Sequence, residues 1–362
     1  MLTISKIIKR KYWMASVSAL VLILLVIPAL MLFYKPYSPT NMVKDGHLKS
    51  GKHVFNNFLQ QIKDENGLLI LGTSETGNIM DGENYYHLLD KDKSLNRNVY
   101  PLGGAGRNAN VYFPLILNNP EAFKDLQIVF YLNPTYWRQG LNEFSKAYFD
   151  RYVDKDLVRH IKDRAIEKGL YERFLSPVQG VSKRHGFEYE LTERIERYKS
   201  LYSTNLSNFI QGKNRVTTDK IDLDNYLTAE KKNELTEEVN QDYNVSHEFL
   251  LKEAAFPMID SNSTYQDELL IAFIQLAKSV DIELTIYLGP YNAVYCKKMN
   301  PELIDSYEDE IRHIKSILTS EAVPYIDGTD LSYITGTFND VQHISKYGAY
   351  LTAKQIRDYV KK

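Results

Sequence analysis

The sequence predicts an α/β fold: a central parallel sheet of about five strands with helices on both faces, a helical insertion, and one apolar helix ahead of it all. Three observations predict it. Short apolar runs recur at 68–71 ("LLIL"), 126–132 ("LQIVFYL") and 282–288 ("IELTIYL"), and more weakly at 98–102 and 323–326. Each is followed by turn residues or a helical pattern, and runs apolar on both faces separated by helices indicate a buried parallel sheet. The third observation is the N-terminus, where no residue from Tyr12 to Tyr34 is charged.

That first element has the apolar length to cross the roughly 30 Å hydrocarbon layer as a helix. Lys6, Lys9, Arg10 and Lys11 crowd the tail before it, which favours a cytoplasmic N-terminus and an extracytoplasmic remainder, a single-pass protein of the cell membrane. A cleaved signal peptide would have a shorter apolar region ending in small residues, whereas this one ends in "LMLFYKP". The expected organisation is a tail over 1–11, an anchor over 12–34, a polar, turn-rich linker over 35–52 and an extracytoplasmic domain over 53–362. Within the domain, 146–262 carries charged amphipathic stretches such as "LVRHIKDRAIEKGLYERFL" and no comparable strand, the pattern of a helical insertion. "DELLIAFIQLAKSV" then reads as a helix leading into the fourth strand, and "SKYGAYLTAKQIRDYVKK" as a closing helix.

Composition narrows the function. The net charge of -2 and the interspersed lysines, arginines and acids give no track for nucleic-acid phosphates. Cys296 is the single cysteine, so neither an intrachain disulfide nor a cysteine-rich metal site can form, and no cofactor or metal is read from the sequence.

The chemistry is expected outside the carboxyl ends of the strands, where ligands sit in such sheets. In "GLLILGTSETGN", Ser74 stands at a strand end where a helix begins, a position suited to a nucleophile and equally to a helix cap; Glu75 follows it as a pocket residue. "TFNDVQHISKYGAYL" places Asp340 three residues before His343, so a carboxylate could orient a general base. The glycines of "YPLGGAGRNAN", Gly103 and Gly104, could present backbone N–H groups to a reacting oxygen. "FYLNPTYW" offers the Asn133 amide, with Tyr136 and Trp137 as pocket walls.

Together these four segments resemble the SGNH hydrolase superfamily, whose blocks supply serine, glycine, asparagine and histidine in that chain order. Within it the chain is most similar to the membrane-anchored D-alanyl-transfer (DltD) family, and more distantly to alginate-type O-acetylation proteins. Asn133–Pro134 stands where the DltD family usually reads serine-proline. The resemblance implies a three-layer α/β/α fold, Ser74 as nucleophile, His343 as base, Asp340 as orienting acid, and Gly103 or Gly104 with Asn133 as oxyanion donors. It implies acyl-ester transfer or hydrolysis in the D-alanylation of teichoic acid. The implied partners are a membrane-bound O-acyltransferase, an acyl carrier protein or acylated polymer, and a cell-envelope polymer as substrate. An O-acetyltransferase or esterase on a surface polysaccharide, and a non-catalytic carrier- or polymer-binding partner with a vestigial triad, are the alternatives.

Overall fold

The computed structural model describes residues 12–22, 24–25, 59–76, 84–104, 108–137, 220–234, 264–299, 301–340 and 343–361. The expected tail over 1–11 and linker over 35–52 lie outside them, as does most of the expected insertion.

Five parallel strands form one sheet: β1 (Leu68–Gly72), β2 (Val99–Gly103), β3 (Gln127–Leu132), β4 (Glu283–Leu288) and β5 (Tyr325–Asp327), in the order β2-β1-β3-β4-β5. These are the five apolar runs of the sequence, each within a residue or two of its expected place. Pro101 lies in β2, an edge strand, where a missing N–H can be tolerated.

Alternation along the strands separates two cores. Leu69 and Leu71 of β1, Ile128 and Phe130 of β3, and Ile286 and Leu288 of β4 face one side. There they meet helices α2 (Ala109–Asn118), α4 (Tyr265–Ser279) and α6 (Leu303–Ser320), numbered in chain order with α1 (Tyr85–Lys91), α3 (Pro120–Phe123), α5 (Ala293–Met299) and α7 (Lys346–Val360). Leu68, Ile70, Val129, Tyr131 and Tyr287 face the other side and pack against α1 and α7. The result is three layers, α/β/α, as expected. α6 shows why the sequence folds this way: Tyr307, Ile311, Ile314 and Leu318 recur at helical spacing and are buried, while Asp305, Asp309 and Arg312 are exposed.

Of the expected insertion, residues 220–234 are described. Ile221 bridges Asp92 just after α1, Leu223 is buried in the second core, and Tyr226 stacks on Tyr350 of α7. This part is a bridge residue and a hydrogen-bonded turn followed by a helical stretch at 229–234, and it packs against α1 and α7.

Among the described residues no helix is long and apolar enough to cross a membrane. Within the expected anchor, residues 12–22 and 24–25 are described, and all are helical.

The chain passes from β1 outward to β2 and then returns past β1 to β3. The strand order therefore reverses between β1 and β3, and the crevice outside their carboxyl ends is the natural place for a ligand in such a sheet.

Candidate active site

Ser74 opens a short 310 turn, Ser74–Thr76, directly after β1. Two glycines let that turn settle onto the end of the sheet. Gly72 and Gly103 are register partners at the ends of β1 and β2, and the Thr76 side chain packs against both. A Cβ on Gly72 would come within 2.1 Å of Thr76 Oγ1, and one on Gly103 within 2.4 Å of Thr76 Cβ. Thr76 Oγ1 also lies 2.5 Å from the Tyr85 hydroxyl. On the opposite face the Tyr112 hydroxyl is 2.6 Å from both Gly72 O and Leu102 O, joining the ends of β1 and β2.

His343 reaches Ser74 from 269 positions further along the chain: its Nε2 is 3.1 Å from Ser74 Oγ. Its Nδ1 is 2.6 Å from Asp340 Oδ2, and its backbone N–H donates to Asp340 Oδ1, also at 2.6 Å. With Nδ1–H donating to the carboxylate, Nε2 is left to accept the serine proton, which is the tautomer a general base needs. The loop is shaped by the Phe338–Ile344 bridge, an Asn339 N–H to His343 O bond, and Ser345, whose Oγ accepts from Gly348 N–H to cap α7. The side chains of His343 and Asp340 are 19% and 34% exposed, so the site is open at the carboxyl end of the sheet.

Glu75 lies beneath this surface rather than on it. It is 4% exposed, accepts from the Thr73 hydroxyl and the Asn133 amide, and burial raises its pKa against the opposing attraction of His343. The expected pocket residue is therefore a buried carboxyl beside the nucleophile.

The expected oxyanion donors fare differently. The Gly104 N–H donates to Thr73 O at 3.0 Å, so it is already committed to holding the turn. Gly103 supplies room for Thr76, as described above. Asn133 is held at both ends of its side chain: Oδ1 accepts from Thr135 N–H at 2.8 Å, capping the 310 turn Pro134–Tyr136, and Nδ2 donates to Glu75. One of its two amide protons is thus directed at Glu75. Residue type marks Gly104 as a donor, but the direction of its N–H depends on neighbours that only the fold supplies.

Trp137 is buried, lines a small cleft with Asn133, Gln266 and Leu270, and donates its indole N–H to Asp267 at 2.6 Å. It walls this cleft; the Tyr136 side chain lies outside the described residues. The cleft adjoins the site on the Asn133 side rather than at Ser74.

Sequence reasoning missed Asn292. Its side chain is fully buried after β4, accepts from Tyr295 N–H at 3.0 Å and donates to Asp340 O at 2.7 Å, so it supports the acid of the triad. The "PYN" following a strand end was its only signal, and it reads as a turn.

No known protein-family model matches the chain and no curated protein matches it, so the reading of the site rests on its residues.

Proposed function

We propose that this protein is a serine acyl-ester transferase or hydrolase of SGNH type, acting outside the cytoplasm in the manner of the DltD proteins. One observation carries the proposal: Ser74, His343 and Asp340, distant in the chain, form a continuous hydrogen-bonded relay at the strand-order reversal of a doubly wound sheet. A serine hydroxyl within 3.1 Å of an imidazole that is itself oriented by a carboxylate is the arrangement that nucleophilic catalysis needs.

In the first half-reaction His343 Nε2 takes the proton of Ser74 as Oγ attacks the ester or thioester carbonyl. Asp340 stabilises the imidazolium that forms. The tetrahedral intermediate collapses, His343 returns the proton to the departing alcohol or thiol, and the acyl group remains on Ser74. In the second half His343 deprotonates a polymer hydroxyl or water, which attacks the acyl-enzyme, and the imidazolium returns the proton to Ser74 Oγ as it leaves. The Ser74 N–H at the head of its 310 turn and the second Asn133 amide proton are the proposed oxyanion donors.

The apolar stretch over 12–34 supports a membrane anchor. In its described helical part Leu20, Leu22, Leu24 and Leu25 are exposed, a surface that a bilayer would cover. Placing the domain outside the cytoplasm suits D-alanylation of teichoic acid, with a membrane-bound O-acyltransferase supplying the acyl group.

A fluorophosphonate probe tests the nucleophile. Labelling should fall on Ser74 and disappear in Ser74→Ala, and p-nitrophenyl acetate turnover should drop at least about 10³-fold. Labelling elsewhere, or substantial turnover by Ser74→Ala, would overturn the assignment.

A further inference from the structure

We propose that Asp267, Glu310 and His313 form a binding site for one divalent transition cation, Zn²⁺ or Mn²⁺, beside the cleft. Asp267 lies in the first turn of α4, and Glu310 and His313 lie three apart on one face of α6. Each offers one ligand atom, and the three atoms lie within 4.8 Å of one another. His313 Nε2 is 2.8 Å from Asp267 Oδ2, a direct hydrogen bond that a cation held at about 2.0–2.2 Å from each atom would replace.

The donor set selects the ion class. Two carboxylates with one imidazole suit Zn²⁺ or Mn²⁺ better than Ca²⁺, which takes oxygen ligands throughout. The carboxylates of Asp267 and Glu310 repel at this distance unless positive charge lies between them, and Glu310 is largely buried. A divalent cation would supply that charge.

An outer hydrogen bond is also in place. Trp137 Nε1–H donates to Asp267 Oδ1 while Oδ2 faces the imidazole, as an outer partner orients a ligating carboxylate. Side chains of Asp267 and His313 are 14% and 39% exposed, which leaves a path from solvent. Trp137 ends the segment that begins at Asn133, so a bound cation would fasten α4 to α6 and, through the indole, hold the chain that follows β3.

Titration of the full-length protein tests this, after stripping with EDTA and in a Trp13→Phe background that leaves Trp137 as the sole indole of the chain's 2 tryptophans. Zn²⁺ and, separately, Mn²⁺ would be added while calorimetric heat and indole emission are followed. The expected result is one saturable equivalent of at least one of the two metals with a change in Trp137 emission, weakened at least tenfold in Glu310→Gln and in His313→Gln. Trp137→Phe removes only the outer bond, and calorimetry should show ten- to a hundredfold weaker binding while leaving the ligands in place. Should a substitution at 310 or 313 fail to fold, the Trp137→Phe result decides. No saturable binding of either metal, an unchanged indole, or equal affinity in the folded variants overturns the site.

Discussion

The Asn292 side-chain amide donates to the backbone carbonyl of Asp340 at 2.7 Å, which ties the loop after β4 to the acid of the triad. His343 is held by Asp340, and Asp340 is held in turn by a fully buried residue on a different strand end. Asn292→Ala would leave both the Asp340 carbonyl and the Tyr295 N–H without this partner. The expected cost is about 1–3 kcal/mol of stability, measured by denaturant unfolding. A lower kcat with KM little changed should accompany it, because the loss acts on the orientation of the base. Unchanged kcat in a destabilised protein would limit Asn292 to a structural role.

Asp340→Asn tests the tautomer directly. The amide can donate to Nδ1 where the carboxylate accepted, which turns the ring proton to Nε2 and prevents it from accepting from Ser74. A fall in kcat on the order of 10⁴ is expected, with fluorophosphonate labelling slowed in parallel. Retention of a tenth or more of wild-type kcat would show that another group orients His343.

Gly103→Ala separates two readings of one residue. The substitution keeps the backbone N–H, so an oxyanion donor would survive it. The structure instead sets the new Cβ 2.4 Å from Thr76 Cβ and 2.5 Å from the Thr76 backbone carbon, in a turn that begins with Ser74. Overpacking should cost about 1–3 kcal/mol and displace the nucleophile, so that both Tm and labelling rate fall. Wild-type stability together with wild-type rate would show that the turn yields without moving Ser74.

Much of the fold was legible because strands buried on both faces are written as continuous apolar runs: "LLIL" and "LQIVFYL" had no competing reading once helices were seen between them. Ser74 and the Asp340–His343 pair were legible for a related reason. Each lies at an element boundary, and the boundaries on the carboxyl side of a parallel sheet converge. The remaining site contacts depend on partners far away in the chain. Asn292 meets Asp340 across 48 positions, and Asn133 turns an amide proton toward Glu75 across 58. Nothing local to "PYN" or "LNP" records those directions. The part that Gly72 and Gly103 play in seating the turn was not legible either, since it comes from Thr76, a residue that no motif marks.

Glu75 gives the site a pH signature of its own. Burial raises its pKa above 4.5 in the folded protein, so the folded state binds the proton more tightly than the unfolded chain does. Its contribution to stability is therefore greatest in acid and declines as pH rises from about 4.5 through the raised value. Glu75→Gln removes that titration while keeping an acceptor for Asn133, so the variant's Tm relative to wild type should climb between pH 4.5 and 8. The same substitution removes the negative charge that attracts protonated His343, which forms when the base takes the serine proton. A fall of about ten- to a hundredfold in kcat is expected near neutral pH and above, where wild-type Glu75 is most ionised, and a smaller one in acid. Thermal melts and pH-rate profiles of the two proteins side by side supply both readouts. A Tm difference that stays flat across that range would mean the carboxyl does not titrate in its buried position, and the electrostatic role would fall with it.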